Sequence, residues 1–278
     1  MAVEGALGDK LADLDASLRQ LGSVCVAFSG GADSAFLLAA AVRALGPEHV
    51  LAATAASPSL PAHELADARA FTRELGVRHL TPRTRELDRP GYQQNGSDRC
   101  YFCKAELLDV VVPLAAAHGV AHVVTGTNAD DAIAGFRPGI RAAAERGALT
   151  PLRDAGLTKA DVRGASREWG LRTWDKPAAA CLSSRVAYGV SISSARLARV
   201  GRAELALRAA LDDAGIRVRD LRVRDLGEHA RVEVDAEAVP ALTARPELLS
   251  AVQGFARVDV DPRGFRSGSM NELLTSNG

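Results

Sequence analysis

Residues 29–34 read Ser-Gly-Gly-Ala-Asp-Ser, and this stretch decides the fold. One apolar run, 24–28, precedes it and another, 35–42, follows it. This pattern predicts a short buried strand, a glycine turn and a helix. Gly30 and Gly31 let the backbone turn sharply and approach a ligand closely. The helix N-terminus then offers N–H groups and the positive end of its dipole, which suit a polyphosphate.

The loop differs from the P-loop because no lysine follows its glycines. It resembles instead the SGGxDS pyrophosphate loop of the adenine-nucleotide α-hydrolases. That resemblance implies that a carboxylate or amide oxygen is activated with AMP and that pyrophosphate is released. The alternative is that the stretch binds no ligand and is an ordinary strand–turn–helix unit with a serine cap.

Length and composition describe an ordinary globular chain. It has 278 residues, of which 47% are hydrophobic and 24% charged, so we expect one large or two modest domains. No apolar run approaches the roughly 18 residues that span a bilayer, and the N-terminus lacks a signal-peptide pattern. We therefore expect a cytoplasmic protein without a membrane partner. Acidic and basic residues number 34 each, which argues against a large nucleic-acid-binding surface.

The first part of the chain predicts an α/β fold with a doubly wound parallel sheet, Rossmann-like, because strands alternate with helices. The predicted strands are 24–28, 50–55, 77–80 and 120–125, and the predicted helices are 7–20, 34–45, 61–75 and 101–117. Ligands bind beyond the carboxyl ends of such strands. The glycine loop, Ser57 and the segment 126–128 should therefore converge on one crevice.

After about residue 150 the pattern changes. Thr158 and Asp161 predict the N-cap and third position of a helix. A smaller C-terminal α/β domain is expected from a helix at 193–214, strands at 216–224, 231–234 and 255–260, and a short helix at 236–247. We accordingly expect an ATP pyrophosphatase domain at 1–188 and a substrate-binding or oligomerisation domain at 189–278.

The four cysteines divide into one core residue and three candidates for chemistry. Cys25 lies in the first apolar run, whereas Cys100 and Cys103 form a C-x-x-C at a helix start and Cys181 stands far along the chain. A redox pair, a closed zinc site and unrelated thiols are alternatives. A cluster on three cysteines would leave one iron open to hold a sulfide, which suits sulfur delivery. Arg185 would lower the pKa of a nearby Cys181 thiol and favour its thiolate.

Several segments together resemble the LarE family, the sulfur transferases that build the nickel-pincer nucleotide cofactor of lactate racemase. The resemblance covers nearly the whole chain. The matching segments are Ser29 to Ser34, Arg99-Cys100-Tyr101-Phe102-Cys103-Lys104, Gly126-Thr127-Asn128-Ala129-Asp130-Asp131, Arg137-Pro138-Gly139, Trp174-Asp175-Lys176-Pro177-Ala178-Ala179-Ala180-Cys181-Leu182-Ser183-Ser184-Arg185 and Gly264-Phe265-Arg266-Ser267-Gly268-Ser269-Met270-Asn271.

The resemblance implies that ATP adenylylates a carboxylate of pyridinium-3,5-biscarboxylic acid mononucleotide and that sulfur then displaces AMP, leaving a thiocarboxylate. In one branch of the family the residue matching Cys181 gives up its own sulfur. In another, three cysteines hold a [4Fe-4S] cluster that carries an extra sulfide. Since this chain has Cys100, Cys103 and Cys181 together, we favour the cluster branch. The family also implies a small-molecule nucleotide substrate, a sulfide donor and a homohexamer.

The nucleotide site is assigned as follows. The N–H groups of the glycine loop should hold the ATP phosphates, and Asp33 is either a Mg²⁺ ligand or a helix cap. The paired Asp130 and Asp131 would in the simplest alternative be a solvated pair. The residues expected to bind the nucleotide are Ala27, Phe28, Ser29, Gly30, Gly31, Ala32, Asp33, Ser34, residues 53–57, Gly126, Thr127 and Asp131.

Arginines are the candidates for the substrate's phosphate. Arg222 and Arg224 alternate on one strand and so share a face, from which they could form bidentate hydrogen bonds. An exposed charged strand face is the alternative. Arg185 and Arg266 are further candidates. Trp174 is either a core residue or a stacking platform.

Three rival functions remain on sequence grounds. A tRNA-thiolating enzyme would usually need a basic RNA-binding surface or an added module. In an ATP-dependent amidotransferase or ligase, ammonia would replace sulfur and the three cysteines would lack a purpose. A non-enzymatic nucleotide-binding or metal-storage protein would release no pyrophosphate from ATP.

Overall fold

A computed structural model describes residues 2–133, 137–177, 181–266 and 268–271. Ala178–Ala180 and Ser267, parts of two family-like segments, lie outside the described residues. The chain forms two compact units, Met1–Glu86 with Cys100–Ala179 and Leu87–Arg99 with Ala180–Gly278. This division differs from the expected segments 1–188 and 189–278, because residues 87–99 and 181–188 group with the C-terminal part.

The first unit is built on a four-stranded parallel sheet. Its order is β3-β2-β1-β4, and the strands are β1 (Val24–Ala27), β2 (Val50–Ala53), β3 (Arg78–Leu80) and β4 (His122–Thr125). In the register, Val24 of β1 lies beside Val50 of β2 and His122 of β4. Every residue of β1 and β2 is buried, as expected for a parallel sheet covered on both faces. The predicted doubly wound α/β fold is confirmed.

Helices connect and cover the strands. In chain order they are α1 (Ala2–Leu21), α2 (Ala32–Leu45), α3 (Ala62–Glu74), α4 (Pro90–Gln93), α5 (Arg99–Ala117), α6 (Ala129–Ile133), α7 (Pro138–Glu145), α8 (Pro151–Asp154), α9 (Lys159–Glu168), α10 (Ser194–Asp213) and α11 (Val239–Thr243). The sequence did not predict α4, α6, α7 and α8, since helices this short show little periodicity. In the part of the chain described, no helix has both the length and the apolar character to cross a membrane.

Two clusters of apolar side chains fill the first unit. On one side of the sheet, α1 and α9 pack with α2, where Phe36 lies on Trp169 with ring centroids 4.8 Å apart. On the other side, Cys25 packs against Leu108 and Val111 of α5. Burial raises the pKa of the Cys25 thiol to about 12, so this cysteine is a protonated core residue.

The second unit contains a three-stranded mixed sheet. It has the order β5 (Leu221–Asp225), β6 (His229–Val234) and β7 (Arg257–Val260), with β5 antiparallel and β7 parallel to β6. The fully buried Asp225 on β5 accepts hydrogen bonds from Arg196 and Arg199 of α10, each at 2.7 Å. The helix predicted at 236–247 is instead α11 between two 3-10 turns, Ala236–Ala238 and Pro246–Ala251. Pro246 supplies no N–H to continue a helix.

The segment 87–99 is tied into the second unit by Asn95. This side chain is fully buried, and its amide nitrogen donates to the carbonyl oxygens of Ala187 at 2.7 Å and Val190 at 2.9 Å. The Asn95 backbone adopts the left-handed region, with φ 56°. The sequence predicted a polar loop here. In the structure, the buried Asn95 side chain acts as a brace, because its hydrogen bonds hold this segment to residues far along the chain.

Gly126 provides the first test, because a side chain there would collide with the start of α2. A Cβ on Gly126 would lie 2.8 Å from the backbone nitrogen of Ser34 and 2.9 Å from its Cα. We expect Gly126→Ala to lower the free energy of unfolding by about 1–3 kcal/mol. Urea denaturation measures this. The control is Gly164→Ala in α9, where nothing lies within 4 Å and alanine should stabilise by roughly 1 kcal/mol. An unchanged stability of Gly126→Ala would contradict the close approach.

Candidate functional site

The glycine loop is held in shape by its own serines. Gly31 is the N-cap of α2, and Gly30 has φ 75°, which a residue with a side chain rarely adopts. The Ser34 hydroxyl donates to the carbonyl oxygen of Gly31 at 3.1 Å and accepts from the backbone nitrogen of Ser29 at 3.3 Å. The loop is therefore preformed at a helix N-terminus, the position where backbone N–H groups bind anions.

Asp33, in the first turn of α2, pairs with a lysine that the sequence analysis did not single out. The Lys159 ammonium donates to Asp33 Oδ2, whereas Asp33 Oδ1 is buried and has no hydrogen-bond partner among the described residues. Lys159 is the first residue of α9, which begins with the predicted capping box of Thr158 and Asp161. A P-loop carries its lysine locally, but here the fold brings one from a distant helix.

The segment after β4 closes against the same helix turn. Asn128 and Asp131 bond reciprocally, each backbone nitrogen donating to the other's side chain at 3.2 Å. The Asp130 carboxylate accepts from the backbone nitrogen of Lys159 at 2.8 Å, so this residue does more than face solvent. The Thr127 hydroxyl lies 3.3 Å from that of Thr125. Together with the Gly126 contact, these bonds join the β4 end, α2 and α9.

The carboxyl ends of β1, β2 and β3 are linked by a polar relay. The Thr54 hydroxyl donates to the carbonyl oxygen of Phe28 at 2.7 Å, so it accepts from His79 Nε2 at 2.8 Å. His79 Nδ1 is buried and has no partner in the described part of the chain. Burial, and to a smaller extent the charge of Arg69, lower the pKa of His79 to about 4. The imidazole is therefore neutral at pH 7. Through Thr54 it helps to hold the backbone of Phe28, the residue immediately before the loop.

A cavity of about 260 Å³ opens beside the loop within the first unit. Its lining combines aromatic rings with charged groups, namely Phe28, Gly30, Asp67, Ala68, Phe71, Arg172, Thr173 and Lys176. Lys176 pairs with Glu64 at 2.6 Å, and Glu64 Oε2 would lie 3.8 Å from a Cβ on Gly30. Lys176 is thus a second lysine near the loop, also contributed from far along the sequence.

Cys100 and Cys103 occupy the first turns of α5. Residues three apart on a helix are neighbours on one face, so the two thiols share a face. Cys100 is exposed and Cys103 half-buried. Burial lowers the pKa of Lys104, an effect that the neighbouring Cys103 and Cys100 oppose. All four cysteines are described, and they form no disulfide with one another.

Cys181 belongs to the second unit and is half-buried. It is the N-cap of a 3-10 turn, Leu182–Arg185. Arg185 donates to the Cys181 carbonyl oxygen at 3.1 Å, but its guanidinium also forms a bidentate pair with Glu204 at 2.9 and 3.2 Å. Glu204 therefore offsets the positive charge expected to favour the thiolate. Within the described residues, no three His, Cys, Asp or Glu side chains come together in a way that could hold a metal ion.

Arg224 is buried and Arg222 half-buried, so the two do not form an exposed charged strand face. Arg224 pairs with the buried Glu233 at 2.6 Å and donates to Ser269 Oγ at 3.1 Å. Arg222 lies over the Phe265 ring at 4.9 Å, and its nearest carboxylate, Asp220, is 3.6 Å away. Burial, and then the charge of Arg185, lower the pKa of Arg222. Arg222 is thus held less closely by its carboxylate partner than Arg224 is by Glu233.

The two remaining candidates lie at the surface or near it. Arg266 is half-buried, with its Nη1 3.4 Å from the Gly264 carbonyl oxygen and 3.8 Å from Asp261. Trp174 is 37% exposed, and the Arg167 guanidinium lies 5.2 Å from its ring centroid. The core interpretation of Trp174 therefore fails, whereas a stacking surface remains open to it.

Comparison with known proteins identifies relatives along almost the whole chain. Residues 9–137 match the NAD synthase family model. The chain is 34% identical to the pyridinium-3,5-bisthiocarboxylic acid mononucleotide synthase of Lactiplantibacillus plantarum, over 97% of this chain and 96% of that protein. It is 40% identical to an uncharacterized protein of Synechocystis sp., over 97% and 99% of the two chains. An uncharacterized protein of Methanocaldococcus jannaschii is 27% identical over 63% of this chain.

The relay through His79 predicts an acid sensitivity. The unfolded chain takes up a proton on this residue below about pH 6.5, whereas the folded protein does so only near pH 4. The free energy of unfolding should therefore fall as the pH drops from about 6.5 to 4, by up to roughly 1.4 kcal/mol per pH unit from this residue. Denaturation of wild type and His79→Gln at pH 7, 6 and 5 isolates the contribution. Parallel curves for the two proteins would show that His79 titrates normally.

Proposed function

The chain belongs to the LarE family of PP-loop sulfurtransferases, and from this premise we propose that it converts carboxylates of pyridinium-3,5-biscarboxylic acid mononucleotide into thiocarboxylates for nickel-pincer cofactor synthesis. The observation that carries the proposal is the 34% identity over 97% of the chain to the bisthiocarboxylic acid mononucleotide synthase. The preformed loop supplies the activation step, and Cys181 with the C-x-x-C pair supplies sulfur chemistry.

In the activation step, an acceptor carboxylate oxygen attacks the α-phosphorus of ATP. The bond to the β-phosphate breaks and pyrophosphate leaves, giving an acyl adenylate. We expect the N–H groups of Gly30, Gly31 and Ala32 to bind the phosphates, because Ser29 and Ser34 already hold the loop at the helix N-terminus. Phe28 and Ala27, at the end of β1, and residues 53–57 flank the adenosine.

Mg²⁺ fits the loop because Asp33 Oδ1 is a buried carboxylate oxygen with no hydrogen-bond partner among the described residues. Asp33 would hold the ion, and Asp131 and Thr127 would close the nucleotide site from the β4 end. The ion would neutralise charge on the pyrophosphate leaving group. Lys159 and Lys176 bring positive charge to the same region.

The acceptor's phosphate is bound by the arginines of the second unit. Arg222 is the principal ligand, since its partner Asp220 is 3.6 Å away, whereas Arg185 and Arg224 hold Glu204 and Glu233 at 2.9 and 2.6 Å. These two ion pairs instead hold the walls of the site, and Arg266 contributes at its edge. Charge-assisted hydrogen bonds to a guanidinium are strong and directional, which suits a phosphate ester.

Sulfur reaches the acyl adenylate through the cysteines and displaces AMP. We propose that Cys100, Cys103 and Cys181 bind a [4Fe-4S] cluster, because three thiols are the donor set that leaves one iron open. Such a cluster would supply a bound sulfide taken from an external donor. Sacrifice of the Cys181 sulfur is the competing mechanism. The family resemblance further supports a cytoplasmic homohexamer that needs neither nucleic acid nor a membrane.

Anaerobic purification followed by iron and sulfide analysis tests the sulfur source. We expect about four irons per chain and several thiocarboxylates formed per enzyme when sulfide is supplied. A colourless, iron-free protein that stops after one turnover, with Cys181 lighter by one H₂S, would establish the sacrificial route instead. Absence of pyrophosphate release with ATP and the mononucleotide would overturn the proposed function as a whole.

Cys181→Ala should abolish sulfur transfer while ATP still binds, because the thiol is needed in both mechanisms and the glycine loop lies elsewhere in the chain. Thiocarboxylate formation by mass spectrometry and ATP binding by calorimetry give the two measurements. Cys25→Ala, which removes a thiol buried in the core, is the control and should transfer sulfur. Normal turnover by Cys181→Ala would contradict both mechanisms.

Arg222→Met should raise the KM for the mononucleotide by roughly 10- to 100-fold, the loss of one charge-assisted interaction. Initial rates of pyrophosphate release measure this, and kcat should change less. Arg231→Met is the matched control on the neighbouring strand, because Arg231 pairs at the surface with Asp259. A KM equal to that of the wild type would remove Arg222 from the substrate site.

A further inference from the structure

The side chain of Lys159 reaches the helix turn that follows the glycine loop. Its ammonium bonds to one oxygen of Asp33 in the first turn of α2. The other oxygen, Oδ1, is buried and has no hydrogen-bond partner in the part of the chain described. A buried carboxylate oxygen without a partner is costly unless a hydrogen-bond donor or a cation completes it, and a cation suits the negative charge best.

Two interactions fix the backbone of Lys159. Its backbone nitrogen donates to Asp130 at 2.8 Å, and the capping box of Thr158 and Asp161 sets the start of α9 immediately before it. Its side chain is about one-third exposed, with a relative accessibility of 37%. The backbone is therefore anchored, whereas the flexible side chain can move its ammonium by rotation about its own bonds.

We propose that Lys159 is a positioning residue that exchanges partners when the nucleotide binds. In the empty loop the ammonium neutralises Asp33. When a metal–nucleotide complex enters, the cation takes the Asp33 carboxylate and Lys159 turns to the phosphate oxygens, so the loop keeps its charge balance in both states. The inference rests on the proposed ATP-dependent function and adds to it a residue that selects the metal-bound nucleotide over either component alone.

The exchange predicts opposite changes for the two ligands in Lys159→Gln. In the absence of nucleotide, Asp33 of this variant should bind Mn²⁺ more tightly, by roughly fivefold or more. The reason is that the variant lacks the ammonium, a positive charge that repels the cation and competes for the carboxylate. Affinity for a non-cleavable α,β-methylene ATP should fall by roughly tenfold, because a charge-assisted hydrogen bond to phosphate is lost. Electron paramagnetic resonance measures Mn²⁺ binding, and calorimetry measures the nucleotide.

Lys10→Gln is the matched control. Lys10 also pairs with an aspartate of the α9 N-terminal turn, Asp161 at 2.7 Å, and its exposure of 32% is close to that of Lys159. Because Lys10 pairs with Asp161 and not with Asp33, the affinities of Lys10→Gln for Mn²⁺ and for the nucleotide should equal those of the wild type. A shift in this variant as large as in Lys159→Gln would assign the effect to α9 stability and overturn the proposal.

The outcomes separate the inference from the function beneath it. Failure of the wild type to bind the ATP analogue would contradict the proposed activation step itself. Binding by the wild type, with any result other than opposite shifts in a folded Lys159→Gln, would overturn the exchange alone. Should Lys159→Gln not fold, Lys159→Arg serves instead. A guanidinium can occupy both Asp33 oxygens, so it should weaken Mn²⁺ binding, and an unchanged Mn²⁺ affinity would overturn the proposal.

Discussion

The nucleotide site depends on how closely the end of β4 approaches the first turn of α2. At Gly126 there is no space for even one methyl group before the backbone of Ser34 is reached. This contact lets the segment after β4 bond to α9 through Asp130, and α9 in turn presents Lys159 to Asp33. A larger residue at position 126 would push the end of β4 away from α2, which carries the loop and Asp33, and would disturb α9, which carries Lys159.

The loop and its strands could be predicted from the sequence because their signals are local. Two adjacent glycines between apolar runs define a strand, a turn and a helix start within a few residues. The capping box at Thr158 and Asp161 is local as well, and the structure confirms it. The lysines could not be found in this way, since only tertiary packing brings Lys159 and Lys176 to the loop from helices and turns far along the chain.

The arginines of the second unit show a different limit of sequence reasoning. Alternation on a strand correctly indicated that Arg222 and Arg224 share a face, but it could not reveal how close a carboxylate partner each of them has. Arg224 lies 2.6 Å from Glu233, whereas Arg222 lies 3.6 Å from Asp220. Glu233 lies on the adjacent strand and Glu204 on a helix. Because the carboxylate partners of a buried arginine come from other elements of the fold, two arginines that look equivalent in sequence can differ in how closely they are paired.

The brace at Asn95 has a consequence for biosynthesis. Its amide hydrogen bonds reach residues 91 to 95 positions later, so the second unit is assembled from two pieces separated by much of the first unit. During translation, residues 87–99 leave the ribosome long before their partners exist. The sheet of the first unit can form meanwhile, since its four strands are complete by Thr125. Because synthesis runs from the N-terminus, the first unit, which carries the glycine loop, should fold before the second unit, which contains Cys181.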